Sequence, residues 1–277
     1  MSRKIDEIIS HLPRDEEGIF CSTFENTSQQ SEIKFREAVA NQTYDNYLKE
    51  IANHHSVEVM DYEVRRVLKY VPKDALIIDV GGCWGWHWRM LSELRADVNV
   101  VKIDFVMANF QHAFKILGTD INKSIYLVHG DASQLDFPDD SFDLYWSVQT
   151  LQRIPDFAKC IQESRRVLKD EGIFINFSLN HAKAIEKLYR LLGKSYLVEG
   201  YIGELYMSKA TSKQAVLIEE IFDILLHRRF TELLFHPDLR MKTGEEKSLW
   251  GKLDAQIGGG SALLGWIARQ QAFETFK

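Results

Sequence analysis

The sequence predicts an α/β protein whose mixed, mainly parallel sheet carries helices on both faces. Short apolar runs between residues 75 and 178 alternate five times with segments of helical spacing. Strands and helices that alternate in this way pair in parallel through right-handed crossovers. The first apolar run ends abruptly in two glycines, which is typical of the turn that opens a nucleotide-type site in such folds.

Composition restricts the class of protein. The chain has 277 residues, 45% hydrophobic and 27% charged, which suits one large globular α/β domain or two small ones. Its net charge of −6 argues against a nucleic-acid binder with a broad basic face. Its three cysteines lack Cys-x-x-Cys spacing, so we expect neither a disulfide framework nor a metal site. The start resembles no signal peptide, and no run reaches the roughly 18 to 20 apolar residues of a membrane span. We therefore expect a cytoplasmic protein with no membrane partner.

The first 72 residues are expected to form an arm and a helical cap. Residues 1–30 are polar and indicate a short helix with an irregular arm. From residue 31 to 71 the apolar spacing fits two or three amphipathic helices, and Pro72 closes the segment. This part could cover the crevice of the main domain, residues 73–277, or simply pack on the edge of its sheet.

The strand over 75–80 leads into a glycine turn and a helix-compatible stretch, Trp84 to Leu94. Gly81 and Gly82 can adopt backbone angles closed to other residues and allow a ligand to approach the main chain. Backbone N–H groups at the start of a helix would suit an anionic or acceptor-rich ligand. The spacing matches neither the dinucleotide pattern Gly-x-Gly-x-x-Gly nor a phosphate-binding loop. A buried strand followed by an ordinary turn is the alternative.

Two further carboxylates follow predicted strands. Asp104 ends the second strand, 98–104, and can accept hydrogen bonds from both hydroxyls of a ribose or cap the helix that begins near Met107. The third strand, 124–129, precedes Asp131, which is either a ligand acceptor or a turn-forming aspartate. Parallel strands present their carboxyl ends at one edge, so Asp79, Asp104 and Asp131 are expected to converge there.

The order of these residues resembles a known family. Asp79, Gly81, Cys83 and Gly85, at every second position, resemble motif I of class I S-adenosylmethionine-dependent methyltransferases, with Cys83 replacing the usual middle glycine. Gly-Asp-Ala at 130–132, the run Leu-Asp-Phe-Pro-Asp-Asp-Ser-Phe-Asp-Leu at 135–144 and Leu-Gln-Arg-Ile-Pro-Asp at 151–156 resemble the central part of the same domain. The resemblance covers about residues 70–180.

The resemblance implies a doubly wound, Rossmann-like, seven-stranded mixed sheet. Its last two strands, expected at 230–235 and 263–269, form an antiparallel pair, and a helical insertion at about 180–227 precedes them. The implied cofactor is S-adenosylmethionine, with Asp131 accepting from the adenine amino group. The implied cofactor-binding residues are Asp79, Gly81, Gly82, Cys83, Trp84, Gly85, Asp104, Phe105, Asp131, Ala132 and Ser147. Gln152 and Arg153, where the family often has two histidines, are expected to face the substrate.

Methyl transfer from a sulfonium is an in-line displacement, so the protein mainly has to align the acceptor and exclude water. A base is needed only when the acceptor carries a proton, and His181, just past the fifth strand, is the best candidate. The predicted function is methyl transfer to an O or N atom of a small molecule. The alternatives are a non-catalytic interaction or regulatory module that keeps the fold, a nucleic-acid methyltransferase, and a nicotinamide oxidoreductase, which the glycine spacing fits poorly.

Two features of the sequence, a tryptophan and a row of basic residues, each allow two interpretations. Trp84, in the glycine loop, could stack on a ligand or pack in the core. Lys183, Lys187, Arg190 and Lys194 share one face of a predicted helix, which is either a solvated face or a surface that docks an acidic partner.

Overall fold

The computed structural model describes residues 3–24, 33–34, 37–38, 57–194, 211–233 and 249–277. Of the amphipathic segment expected over residues 31–56, only 33–34 and 37–38 are described, and both are helical. The rest of it lies outside the described residues, and so do residues 195–210 of the predicted insertion. Among the helices that are described, none is long and apolar enough to cross a bilayer.

The sheet has eight strands rather than the seven expected. Its spatial order is β1-β4-β3-β2-β5-β6-β8-β7. The additional strand, β1, is two residues long and pairs in parallel with β4 at the edge of the sheet. A pair of residues is too short to produce a detectable periodicity, so the sequence shows only an irregular arm there. The strands are β1 Phe20–Cys21, β2 Leu76–Val80, β3 Asn99–Asp104, β4 Ile125–His129, β5 Phe142–Val148, β6 Leu168–Leu179, β7 His227–Thr231 and β8 Gln270–Phe276.

The predicted fold class is confirmed. Strands β4, β3, β2, β5 and β6 are parallel neighbours. Strand β8 runs antiparallel to both β6 and β7, which is the expected closing pair. All five residues of β2 are buried, as required of a central strand covered on both faces.

Helices cover both faces of this sheet. On one face Ile5, Phe157 and Ile218, from α1, α5 and α7, join the core, and on the other face Met60 and Phe110, from α2 and α4, do so. The helices are α1 Arg3–Ile9, α2 Val57–Val67, α3 Leu91–Leu94, α4 Ala108–Leu117, α5 Phe157–Val167, α6 Lys183–Leu191, α7 Thr211–Phe222 and α8 Leu249–Ile257.

The prediction of one helix over Trp84 to Leu94 is wrong. A 3₁₀ turn, Trp86–Trp88, and the one-turn helix α3 replace it. Trp84, Trp86 and Trp88 are all buried. Residues two apart lie on opposite sides of an α-helix, so a regular helix could not bury all three. The burial of the alternating tryptophans therefore accounts for the irregular backbone.

The positions expected for the last two strands are also wrong. Strand β7 begins three residues before the expected Phe230, and residues 263–266 of the expected final strand lie in the 3₁₀ turn Ala262–Trp266. Leu263 in that turn is 79% exposed, whereas Gln270 and Gln271 of the actual strand are buried. The Gln270 amide donates to Thr231 Oγ1 at 3.2 Å, so a polar strand is accommodated inside the sheet.

Candidate active site

The carboxyl ends of β2, β3 and β4 meet at one edge of the sheet and are joined by backbone hydrogen bonds. The N–H of Gly81 donates to the Ile103 carbonyl at 2.9 Å, which ties the glycine loop, residues 81–85, to β3. The N–H of Gly130 donates to the Asp104 carbonyl at 3.0 Å, which ties the turn after β4 to the same strand. Both loops that carry predicted cofactor residues are therefore anchored on β3.

The glycines of this loop are required by close packing and by backbone angle. Gly81 has a φ of 71°, and a Cβ there would lie 2.2 Å from Cγ2 of Thr150. A Cβ on Gly82 would lie 1.9 Å from Oδ2 of Asp79, well inside contact distance. Gly85 has a φ of 77°. Larger residues would therefore push the loop away from the strands beneath it.

Cys83, which stands where the motif usually has glycine, takes the left-handed backbone conformation that glycine adopts most easily. Its φ is 49°, which costs a non-glycine residue about 1 kcal/mol. Its N–H donates to Asp104 Oδ2 at 2.9 Å, and a hydrogen bond to a charged acceptor offsets a cost of that size. The exchange of glycine for cysteine thus keeps the turn.

Asp104 organises both the loop and the start of α4. Its Oδ1 accepts from the Val106 N–H at 2.9 Å and from the Asn109 amide at 3.3 Å, in addition to the bond that Oδ2 receives from Cys83. The turn-capping role foreseen as one alternative is therefore present. A carboxylate offers about four acceptor sites, so three protein donors leave room for a ligand hydroxyl. The ribose contact stays a prediction.

Asp79 lies beneath the loop, next to Lys102, its register partner on β3. Both side chains are almost fully buried. Burial raises the pKa of the Asp79 carboxyl to about 7, opposed by the charge of Lys102 and by the Trp88 indole and reinforced by the charge of Asp104. The Lys102 ammonium lies 4.0 Å from Asp104 Oδ2 and 4.7 Å from the centre of the Phe110 ring.

Trp84 packs inside the protein. Its side chain is fully buried, and its ring stacks on His112 of α4 with centroids 3.5 Å apart. Its indole N–H donates to Oδ1 of Asn109 at 3.1 Å. Trp84 was expected either to stack on a ligand or to pack in the core, and its side chain packs in the core. Any contact of Trp84 with a cofactor would therefore come from its backbone.

The turn after β4 holds the other predicted adenine contacts. Oδ1 of Asp131 accepts from the Ser133 N–H at 2.7 Å and from the Ser133 hydroxyl at 2.8 Å, which is a turn-forming arrangement. Ala132 is buried, and Phe105, after β3, is half-buried. The Ser147 hydroxyl is buried and donates to the Val80 carbonyl at 3.1 Å, which joins β5 to β2. Ligand contacts of these residues stay predictions.

The residues expected to face the substrate differ in position. Gln152 is fully buried, and its Oε1 accepts from the Leu179 N–H at 2.8 Å, so it holds the end of β6. Arg153 is half-buried, and its Nε donates to the Gln149 carbonyl at 3.2 Å. His181 follows β6 directly and is 35% exposed, with its Nε2 at 2.9 Å from Oε2 of Glu186. The hydrogen bond and charge of His181 lower the pKa of the Glu186 carboxyl.

Several residues of this edge have no motif to mark them in the sequence. Asn109, His112 and Thr150 act through packing that only the folded chain brings about. Lys102 has a weak sequence signal, since it is a single charge inside the apolar strand β3. A charged side chain in such a strand must find a buried counter-charge, and here the nearby carboxylates provide it.

A cavity of about 820 Å³ lies at the opposite end of the sheet, between the start of β5 and the end of β8. Asp143 and Lys169, which line it, form an ion pair at 2.8 Å. Its position at the amino ends of the parallel strands separates it from the glycine loop, so it takes no part in the edge described above.

A doubly wound sheet with a glycine loop and carboxylates at its carboxyl edge defines a class of nucleotide-type α/β protein. Residues 78–176 match the family described as the methyltransferase domain. Together with the order of motifs along the chain, this match supports a class I S-adenosylmethionine-dependent methyltransferase domain over these residues, and S-adenosylmethionine is the cofactor of that class.

Similar proteins support this assignment. The malonyl-[acyl-carrier protein] O-methyltransferase of Buchnera aphidicola is 27% identical over 164 residues, 57% of this chain and 62% of that protein. A demethylmenaquinone methyltransferase of Listeria monocytogenes is 32% identical over 109 residues, 38% of this chain and 45% of that protein. The chain thus spans less than two thirds of either relative. A solved methyltransferase of Thermotoga maritima, described as a possible histamine N-methyltransferase, shares the fold with a TM-score of 0.57 at 14% identity, covering 89% of this chain and 99% of its own.

Proposed function

We propose that this protein transfers the methyl group of S-adenosylmethionine to an O or N atom of a small molecule. The observation that carries the proposal is the bond between the glycine loop and Asp104. This bond holds a main-chain turn and an acidic acceptor together at the edge of the sheet. The third element, Asp131, lies two residues beyond His129, the register partner of Asp104 on β4.

The residues at this edge fit the cofactor. Gly81 and Gly82 pack too closely against Thr150 and Asp79 to carry any side chain. At these two positions the loop therefore offers a ligand only its main chain. Asp104 retains one acceptor site for a ribose hydroxyl, and Asp131 and Ala132 would hold the adenine. When bound, the cofactor supplies an electrophilic methyl group with a neutral leaving group. The protein's own contribution is alignment and exclusion of water, which can supply several kcal/mol.

The proposed general base is His181, supported by Glu186. When Nε2 carries the proton it donates to the Glu186 carboxylate, and this hydrogen bond orients the imidazole ring. The pair lies at the carboxyl end of β6, on the same edge as the glycine loop. An acceptor hydroxyl or ammonium that bound there could lose its proton to the imidazole as the methyl group is transferred.

The relatives support a small-molecule acceptor in general terms. Their names include a malonyl group on a carrier protein and demethylmenaquinone. We propose a small acceptor of this kind and no nucleic-acid substrate, given the net charge of −6. None of the three cysteines forms a disulfide with another, and the proposed setting is a reducing, cytoplasmic one.

Titration calorimetry with S-adenosylmethionine and with its demethylated product tests the cofactor site. We expect saturable heat from both ligands, and the absence of heat at millimolar ligand with folded protein would refute the proposal. Transfer of an isotopically labelled methyl group, followed by NMR of the product, identifies the acceptor atom. A new C–CH₃ bond would contradict the proposed O or N acceptor.

One observation favours a second function, a non-catalytic module that keeps the fold. Asp104 already accepts three hydrogen bonds from its own chain. Under that alternative the cofactor would bind without turnover, or would not bind at all. Labelled methyl transfer to any acceptor excludes it.

A further inference from the structure

We propose that helix α6 and the 3₁₀ turn at 262–266 form a surface that docks on anionic lipid membranes. We call it the apolar–basic face. It consists of Leu188, Leu191, Leu192, Leu263 and Trp266, with the basic residues Lys183, Lys187, Arg190 and Lys194. Sequence spacing alone left the basic residues as either a solvated face or a docking face, and the exposure of their apolar neighbours favours docking.

The apolar members are unusually exposed. On α6 and directly after it, Leu191 is 85% and Leu192 58% exposed, and Leu188 is 39% exposed. Their spacing of three and four residues places them on one side of the helix, while Tyr189 on another side is buried. In the neighbouring 3₁₀ turn, Leu263 is 79% and Trp266 54% exposed. Apolar side chains grouped in this way mark an interaction surface.

The basic members lie beside these leucines. Lys183, Lys187 and Arg190 are exposed and follow one another at spacings of four and three, and Lys194 continues the row. The acidic residue of α6, Glu186, already accepts from His181 at 2.9 Å and from Arg190 at 3.4 Å. This face is thus locally positive on a chain whose net charge is −6, which suits an anionic partner.

The helix and the turn belong to one surface. The Lys187 ammonium lies 6.0 Å from the centre of the Trp266 ring. The Asn180 amide donates to the carbonyls of Gly265 and Ala268, each at 2.8 Å, which fixes the turn beside the end of β6. Exposed leucines, a tryptophan at their margin and a row of lysine and arginine are the features of a helix that lies in a membrane interface.

This surface favours lipid over an acidic protein because its apolar and basic parts are both exposed and contiguous. Lipid headgroups would meet the cations, and acyl chains would cover the leucines. The inference revises our expectation of no membrane partner, which concerned spanning segments. If the proposed function holds, docking would bring the carboxyl edge of the sheet close to a lipid-dissolved acceptor.

Vesicle co-sedimentation of the full chain without cofactor tests the docking, so failure to bind S-adenosylmethionine would leave the test unaffected. We expect at least about tenfold stronger partitioning onto phosphatidylcholine vesicles with about 30% phosphatidylglycerol than onto phosphatidylcholine alone, weakening as salt is added. Leu191→Glu should abolish the binding. Leu225→Glu is the matched control, because Leu225 is equally exposed, at 86%, but precedes β7 at the other end of the sheet.

Tryptophan quenching by brominated lipid locates the contact. Trp266 and Trp250 are the exposed tryptophans, since Trp84, Trp86, Trp88 and Trp146 are buried. We expect quenching to persist in Trp250→Phe and to disappear in Trp266→Phe. The proposal is overturned if phosphatidylglycerol does not increase binding, if the two leucine variants lose it equally, or if Trp250 is the residue quenched. A dimer in sedimentation velocity that Leu191→Glu converts to monomer would make this face an interface between two copies and would also overturn it.

Discussion

Replacing Asp79 with asparagine should remove a large part of the pH dependence of the protein's stability. Burial raises the pKa of this carboxyl from 3.8 to about 7 in the folded chain. Between about pH 4 and pH 7 the folded protein therefore keeps a proton that the unfolded chain has lost. The free energy of unfolding must fall as the pH rises through this window, and the uncharged amide of the variant cannot contribute to that fall.

The size of the effect follows from the shift. Each pKa unit corresponds to about 1.4 kcal/mol, so this group alone lowers the free energy of unfolding by about 3 kcal/mol between pH 5 and pH 8. Groups that do not interact with Asp79 titrate alike in both proteins. The difference between the wild type and Asp79→Asn therefore isolates the contribution of this carboxyl.

Urea unfolding at pH 5, 6, 7 and 8, followed by tryptophan fluorescence, measures the difference. Asp97→Asn is a control without a slope in this range, because Arg95 holds the pKa of Asp97 well below its usual value. The stability that Asp97 provides is lost only as the pH falls below about 4, so its variant should be less stable by about 1 kcal/mol at each pH of the series. Equal pH dependence in the wild type and Asp79→Asn would refute the reasoning.

Three further variants test the glycine loop and the proposed base. Gly82→Ala should weaken cofactor binding at least about tenfold in calorimetry, because its Cβ would lie 1.9 Å from a carboxylate oxygen. Gly259→Ala, whose Cβ would meet nothing nearer than 3.8 Å, should bind normally, and equal affinities of the two variants would contradict the packing argument. Trp84→Ala should lower the free energy of unfolding by about 4 kcal/mol in urea titrations, since the side chain is fully buried; a loss below about 1 kcal/mol would show that the site collapses freely. His181→Asn should lower kcat about 100-fold with unchanged cofactor affinity, and Glu186→Gln less so, whereas an unchanged kcat would remove His181 as the base.

The parallel part of the sheet was predictable because each of its strands is apolar and ends in a recognisable turn. The strand before Gly81 and the strand before Asp131 are both located to within one residue of their observed ends. Strand β8 escaped detection because it places Gln270, Gln271 and Thr275 in buried positions. The hydrogen-bond partners of the Gln270 side chain, Gln149 and Thr231, come from distant parts of the chain, which periodicity cannot show.

The site was predictable in its outline and not in its interior. The positions of Asp104 and of the loop glycines can be located from the motifs in the sequence. The stacking of Trp84 on His112 depends on how α4 lies against the loop, and no local pattern records that. The burial of Lys102 is hidden for the same reason, since its counter-charges come from the ends of two strands.

The buried amine of Lys102 can report how often the turn above it moves. Its Nζ is sealed from solvent, so an acylating reagent can reach it only when that turn lifts away. Surface lysines such as Lys183 and Lys187 would react at once and calibrate the reagent. The rate at which modified Lys102 appears in a peptide digest would then measure how often the turn lifts away in the protein without ligand. A tightly bound ligand should slow this modification.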